Sequence, residues 1–239
     1  MRARLDQAMV GQGLATTRSQ AESLIRLGQV EVNGRTITKT GFFVSDNSKI
    51  KLQNSESYVS RAGLKLAGAN QQFKVSFRGK KVLDVGSSTG GFTDYALQNK
   101  AKKVVAIEVG TDQMHSKLAQ NPLVELHEKT DIRSFSPAEV PDIIVADLSF
   151  ISLRQILPHL HSISGPKTEL LVLLKPQFEA GKAQVNRGVI KNDKLRREIL
   201  RDFENWVQKL FKIVNKTDST VPGEKGNLER FYHLKKLVV

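Results

Sequence analysis

Leu83-Asp84-Val85-Gly86-Ser87-Ser88-Thr89-Gly90-Gly91-Phe92 decides how the chain is read. The stretch Lys81–Val85 has the pattern of a buried strand, and Gly91–Asn99 that of a helix. A strand, a glycine-rich turn and a helix in that order open a nucleotide-binding α/β sheet. The glycines stand at 86, 90 and 91, so the dinucleotide spacing G-x-G-x-x-G is not met. Outward from this loop, strands alternate with helices. Further strands are predicted over Val104–Glu108, Val124–Glu128, Ile143–Asp147, Glu169–Leu174, Phe211–Asn215 and Arg230–Leu237. Helices are predicted over Ser60–Lys74, Asp112–Gln120, Ser152–Ser162 and Asp193–Leu210. The alternation predicts an α/β fold, an open parallel sheet covered on both faces.

The loop resembles D-x-G-x-x-x-G-G, the first motif of class I methyltransferases, which bind S-adenosyl-L-methionine on a Rossmann-like sheet. The resemblance implies that Asp84 orients the amino-acid end of that cofactor. It implies that Gly86, Ser87, Ser88, Thr89, Gly90, Gly91 and Phe92 lie under the methionyl part. Glu108 ends the next predicted strand, where a carboxylate can accept both ribose hydroxyls. Asp131, in E-K-T-D-I-R after the third strand, is placed for the adenine amino group. A lone acid at a strand end is usually a surface group. Three at successive strand ends, beside a glycine loop, point to a cofactor site.

The 239 residues carry 37 Lys+Arg against 24 Asp+Glu, a formal charge of +13. That excess favours a polyanionic partner, nucleic acid or an anionic membrane face. Cysteine is absent, which excludes disulfides, thiolate metal sites and a cysteine nucleophile. The five histidines show no H-E-x-x-H spacing, so no metal is assigned. The densest apolar run, Leu170 to Leu174, is far too short to span a bilayer. No apolar stretch follows the basic N-terminus, so no secretory signal is read there. A cytoplasmic location is expected.

Residues 1–57 read as a small α+β module with its linker, and 58–239 as the methyltransferase domain. Leu5, Ala8, Met9 and Leu14 form one helical stripe. Thr17 or Ser19 can cap a second helix carrying Ala21, Leu24, Ile25 and Leu27. Val30–Gly34 is a short strand ending in an Asn-Gly turn. The module carries eight Lys or Arg against four Asp or Glu before residue 54. Arg2, Arg4, Arg18, Arg26 and Lys39 are its candidate RNA contacts, joined by the basic helix Lys191–Arg201.

The methyl acceptor is narrowed by what is missing. Enzymes that methylate base amino groups carry Asp or Asn and then Pro-Pro-aromatic after the fourth strand; here Ala146–Phe150 reads A-D-L-S-F. Methylation at cytosine carbon needs a cysteine. A hydroxyl acceptor remains, and it needs a base or strong stabilisation of developing oxyanion charge. Lysine can serve if a second ammonium lies near and carboxylates hold both. Lys65, Asp147, Lys175 and Glu229 are the candidates. Ligands bind at the carboxyl ends of strands in such sheets, which places Asp147 and Lys175; periodicity alone does not place Lys65 or Glu229.

At these residues the chain resembles the TlyA-type RNA methyltransferases, often labelled hemolysins. The N-terminal part is similar to the RNA-binding domain of ribosomal protein S-four in R-L-D (Arg4–Asp6), T-R-S-Q-A (Thr17–Ala21) and L-I-R-L-G-Q-V-E-V-N-G (Leu24–Gly34). The remainder is similar to FtsJ-type ribose 2′-O-methyltransferases in Y-V-S-R-A-G-L-K-L, D-V-G-S-S-T-G-G-F-T-D, A-D-L-S-F-I-S-L, L-L-K-P-Q-F-E and G-N-L-E. The resemblance implies a Lys-Asp-Lys-Glu tetrad at Lys65, Asp147, Lys175 and Glu229. It also implies cytidine in ribosomal RNA, within a ribosomal subunit, as substrate. Lys175 is expected to activate the ribose hydroxyl, with Lys65 stabilising oxygen charge and the two acids orienting the ammonium groups. Two rivals remain at this point. A membrane-acting cytolysin explains the charge but not the cofactor loop. An RNA-binding module with an inactive enzyme domain explains both but wastes the tetrad.

Overall fold

The computed structural model describes residues 2–15, 18–26, 28–52, 58–180, 188–190, 192–223 and 226–237. The chain divides into two compact units, Met1–Arg61 and Ala62–Val239.

The first unit runs β1 (Arg2–Arg4), α1 (Leu5–Gly11), α2 (Arg18–Arg26), β2 (Val30–Val32), β3 (Arg35–Thr36), β4 (Phe43–Ser45) and β5 (Ile50–Leu52). Its core gathers Leu5 and Met9 from α1, Ala21 and Ile25 from α2, and Val30 and Val44 from the strands. Strand β1, too short to show any periodicity, pairs antiparallel with β4. Leu14 falls beyond α1 because the helix ends at Gly11 and the chain turns at Gly13. Helix α2 begins at Arg18, so Ser19 lies inside it and is not its cap; Thr17 and Leu27 lie outside the described residues. Asn33 and Gly34, with φ of 51° and 78°, join β2 to β3. Two left-handed residues in succession match the right-handed twist of a hairpin.

The second unit continues with α3 (Ala62–Phe73), β6 (Lys81–Val85), α4 (Gly91–Gln98), β7 (Lys103–Ile107), α5 (Ser116–Ala119), β8 (Val124–His127), β9 (Ile143–Ala146), α6 (Leu157–Ile163), β10 (Glu169–Leu174), α7 (Pro176–Glu179), α8 (Asp193–Val207), β11 (Phe211–Asp218) and β12 (Arg230–Lys236). Its seven strands lie in the order β11-β12-β10-β9-β6-β7-β8. Strands β6 to β10 are mutually parallel. Every residue of β9 is buried, and all of β10 after Glu169, as befits strands covered on both faces.

The expectation of a wholly parallel sheet is corrected at one edge. β12 runs antiparallel to both β10 and β11. Only residues 219–229 join β11 to β12, too few for the helical crossover that a parallel return demands.

Alternation along the strands sorts side chains between two faces. Leu83, Val85, Ile144, Val172, Leu174 and Tyr232 pack with α6 and α8. The other parity faces α3 and α4, as the Phe92–Phe231 and Phe73–His233 ring contacts show.

Two predicted helices are shorter than their apolar patterns. Asp112–Gln120 reduces to α5, because Asp112 is left-handed (φ 53°) and extended His115 caps the turn that follows. Ser152–Ser162 splits into a 3₁₀ turn over Leu153–Gln155 and α6, with Pro158 in the first turn of α6.

Candidate active site

The chain leaves β6, builds β7 and β8 on one side, then returns to β9 on the other. The carboxyl ends of β6 and β9 therefore border the switch point at which such sheets bind ligands. A cleft of about 470 Å³ opens there, lined by Gly86, Ser88, Glu108, Asp131, Asp147 and Phe150 among others.

The loop geometry depends on its glycines. Gly86 has a φ of 79°, and a Cβ on it would lie 2.8 Å from Leu148 Cδ2. Gly90 has a φ of 92°, and its Cβ would lie 2.4 Å from Leu118 Cδ1. Only glycine fits either position without displacing a neighbour.

The three acids sit differently. Glu108 is almost buried; its Oε2 accepts from Ser88 N at 2.9 Å and its Oε1 from Gly110 N at 2.8 Å. Each oxygen keeps a lone pair for a further donor. Asp131 lies on the cleft wall, gripped by Arg133, whose Nη2 donates to Oδ2 at 2.6 Å. That guanidinium holds the Asp131 carboxyl below its ordinary range. Asp84 lies behind the cleft lining, fully buried, and Thr93 Oγ1 donates to its Oδ2 at 2.6 Å. Its Oδ1 is buried with no hydrogen-bond partner among the described residues. Burial pushes Asp84 up to about 7; the Thr93 bond opposes this, and the charges of Asp147 and Glu108 add to it. Ser87 Oγ is a second buried polar atom without a partner among the described residues. A cofactor with a cationic amino end and a ribose diol suits this donor and acceptor set, so the residues fit S-adenosylmethionine.

The four candidate tetrad residues form two ion pairs. Lys175 Nζ stands 2.7 Å from Asp147 Oδ1 and donates to Ser149 Oγ at 2.8 Å. Lys65 Nζ donates to Glu229 Oε2 at 2.6 Å, with side chains 9% and 3% exposed. The sheet explains the convergence. Asp147 follows β9 and Lys175 follows β10, both at the carboxyl edge. Antiparallel β12 starts at that same edge, with Leu174 opposite Arg230, so Glu229 arrives beside Lys175. The strand alternation carried one residue outward puts Asp147, Lys175 and Glu229 on the face covered by α3. Helix α3 brings Lys65, and Gly68 on the next turn lets it come close to the β11–β12 loop. A Cβ at Gly68 would lie 2.4 Å from Thr220 Oγ1.

The G-N-L-E stretch serves as more than a turn. Gly226 is left-handed (φ 85°). Asn227 is buried and ties the loop to residues 188–190, donating to Gly188 O and accepting from Ile190 N. A Cβ on Gly223 would lie 2.5 Å from Glu229 Oε1. Side chains missed in the sequence include Ser149, Arg133 and Phe150. Phe150 is 90% exposed and left-handed (φ 65°), and its ring lies 5.1 Å from that of Phe178. An apolar residue so exposed inside a motif is invisible to periodicity.

In the first unit, Arg4 and Arg18, read from the sequence as candidate RNA contacts, are also paired within the unit. Both donate to fully buried Asp6, Arg4 Nη2 at 2.9 Å and Arg18 Nε at 2.8 Å. Burial alone would raise Asp6, but these bonds and that from Gln7 N hold it well below the carboxylate range. A guanidinium has five N–H donors, so both keep some facing outward, and Arg18 stays 52% exposed. Lys39 is exposed. The side chains of Arg2 and Arg26, and residue Lys191, lie outside the described residues. In α8, Arg196 is bound to Asp218 and Leu228 O, while Arg197 and Arg201 are exposed.

Comparison with known proteins agrees with this geometry. The FtsJ-like methyltransferase family matches residues 58–236, and the S4 domain matches residues 3–50. A Mycobacterium tuberculosis protein named 16S/23S rRNA (cytidine-2′-O)-methyltransferase TlyA is 38% identical over 98% of this chain and 90% of its own. A Campylobacter jejuni protein named 23S rRNA (cytidine-2′-O)-methyltransferase TlyA is 36% identical over 94% of this chain and 96% of its own. A solved structure from Streptococcus thermophilus, given the hemolysin name, superposes with a TM-score of 0.76 at 37% identity, covering 98% of this chain and 88% of that one. An S-adenosylmethionine-dependent methyltransferase from Listeria monocytogenes shares the fold alone, at 16% identity and a TM-score of 0.54, over 73% of this chain and 100% of that one. The chain belongs to the FtsJ-like methyltransferases, in the TlyA-type group that joins this domain to an S4 domain.

Proposed function

We propose that this protein is an S-adenosylmethionine-dependent ribose 2′-O-methyltransferase acting on cytidine in ribosomal RNA. The observation that carries the reading is the pair of ion pairs, Lys65–Glu229 and Lys175–Asp147, at the carboxyl edge of one sheet. When bound, S-adenosylmethionine supplies an electrophilic methyl group. Glu108 holds the ribose of that cofactor, Asp131 reads its adenine end, and the loop from Gly86 to Phe92 supports the methionyl part. Asp84, buried behind the cleft lining, would favour the cofactor's cationic amino end by charge. Lys175, as the neutral amine, takes the proton from the RNA 2′-hydroxyl and becomes an ammonium beside Asp147, while Lys65, as an ammonium, stabilises the charge growing on that oxygen. Asp147 and Glu229 fix the directions of the two ammonium groups. Positioning contributes much of the rate, since orientation alone can remove about 7–11 kcal/mol from a barrier.

RNA phosphate is held by the exposed donors of Arg4, Arg18 and Lys39 in the first unit, and by Arg197 and Arg201 on α8. Arg2 and Arg26 belong to the same proposal by sequence. Among the described residues no helix is long and apolar enough to cross a membrane. The cytoplasm, where ribosomal subunits are made, is the proposed place of action.

The test uses purified protein, labelled S-adenosylmethionine, and unmodified small and large ribosomal subunits in separate reactions. Label is expected on a cytidine ribose 2′-oxygen, mapped by nuclease digestion. No label on either subunit, with cofactor binding confirmed, would overturn the reading.

A pH dependence follows from Asp84. Its ionised form would favour the cofactor's ammonium by charge, and burial pushes its ionisation up to about 7. Affinity for S-adenosylhomocysteine should therefore tighten about tenfold from pH 6 to pH 8. Calorimetric titration checks this, and Asp84→Asn should flatten the profile. The sign for stability is opposite in the free protein. A raised carboxylate disfavours the folded state as pH climbs from the unfolded value of about 4 toward 7.

A further inference from the structure

We propose that Glu179 is a positioning residue: it latches segment 147–153 to segment 175–179 and so fixes the Lys175 ammonium against Asp147 and Ser149. The consequence for catalysis rests on Lys175 being the base of the proposed reaction; the latch itself does not.

The two segments leave neighbouring parallel strands, β9 and β10, whose pairing ends at Ala146 opposite Val172. Beyond that register the sheet no longer fixes their separation. Three sets of side-chain contacts bridge them. One is Lys175 with Asp147 and Ser149. A second is the Phe150–Phe178 ring contact. The third is Glu179, whose Oε2 accepts from Ser152 Oγ at 2.6 Å and whose Oε1 accepts from Leu153 N at 2.7 Å.

Glu179 is the most enclosed of these groups. Its side chain is 2% exposed, against 10% for Lys175 and 14% for Asp147. Burial raises its affinity for a proton, and the bonds from Ser152 and Leu153 and the charge of Arg154 oppose this. Arg154 Nε stands 3.7 Å away and is itself held by Asp202 and stacked over Trp206. A carboxylate in that setting is costly to keep, and an apolar residue of similar volume is often as stable. Its two oxygens each meet a donor on the opposite segment, which is the geometry of a tether.

The segment it tethers is strained. Phe150 is left-handed (φ 65°), a conformation that a bulky residue keeps only when its surroundings hold it there. Asp147 anchors one flank of that turn through Lys175; Ser152 and Leu153 anchor the other through Glu179. If Glu179 lets go, the turn relaxes and Lys175 loses its oriented partners. The A-D-L-S-F-I-S-L and L-L-K-P-Q-F-E stretches thus meet three times, at Asp147–Lys175, at Phe150–Phe178 and at Ser152–Glu179.

Trace acetylation of the intact full chain by acetic anhydride tests this, with Lys175 quantified by mass spectrometry against exposed Lys194 as internal reference. Glu179→Ala should raise the Lys175/Lys194 labelling ratio roughly tenfold and lower kcat for methyl transfer on the order of 10- to 100-fold, with cofactor affinity retained. Glu179→Gln should restore most of both, because its amide oxygen can accept from Leu153 N and its NH2 can meet Ser152 Oγ. If Glu179→Ala does not fold, Ser152→Ala carries the test, with a smaller rise in the same ratio. An unchanged ratio in the folded variant overturns the latch. A raised ratio in the variant, together with a wild-type protein that transfers no methyl group to RNA, upholds the latch and overturns the reaction assigned to Lys175.

Discussion

Lys175→Ala is expected to lower methyl transfer by about 10³-fold or more while affinity for S-adenosylhomocysteine survives. A ribose hydroxyl is a poor nucleophile at neutral pH, and Lys175 is the group proposed to remove its proton. Its ammonium is oriented by Asp147 at 2.7 Å and Ser149 at 2.8 Å. Its side chain is not part of the cleft lining, so truncation leaves the cofactor contacts in place. Lys175→Arg should not rescue activity. A guanidinium does not give up its proton in proteins, whereas a base must be able to. Single-turnover transfer to ribosomal subunits gives the first number and calorimetry the second. A fully active Lys175→Ala protein would remove Lys175 from the mechanism.

Glu229→Ala should abolish activity and also weaken the fold. It leaves the Lys65 ammonium, 9% exposed, without its partner at 2.6 Å. Stranding one member of a buried pair costs about 3–5 kcal/mol. Thermal unfolding of the variant should show a clear drop in midpoint. The double variant Lys65→Met/Glu229→Leu removes both charges and should regain most of that loss, since apolar replacement of a whole buried pair is often neutral or stabilising. It should remain inactive. Stability recovered without activity would separate the pair's chemical role from its structural one. A double variant as unstable as the single one would mean that the pair's surroundings, not the stranded charge, set the cost.

Much of this site was readable in the residues. The glycine loop followed by a helix marked the carboxyl end of β6, and of the three acids read at strand ends, Glu108 and Asp131 line the cleft there while Asp84 lies behind it. Lys81–Val85 and Glu169–Leu174 are uniform enough to set strand limits within a residue or two. The position of Glu229 was not readable, because it depends on β12 running antiparallel, and pairing direction leaves no mark on periodicity. Nor was that of Lys65, since docking of α3 depends on close approach at Gly68. The pairing of Arg4 and Arg18 with Asp6 was not readable, because a buried Asp6 looks, in sequence, like any exposed aspartate. The helix expected over Asp112–Gln120 failed for a local reason. Backbone reversal at Asp112 overrode an apolar pattern that suited a helix.

The antiparallel strand also sets a timetable. β12 is the last strand of the fold in chain order, yet it lies between β10 and β11. Lys65, Asp147 and Lys175 precede Glu229 in the chain, and β11 is bonded to the sheet only through β12, so these two strands reach the β10 edge together as one antiparallel hairpin. Until that hairpin docks, Lys65 lacks its partner Glu229. On the proposed mechanism, methyl transfer should begin only once β12 has docked and brought Glu229 to Lys65.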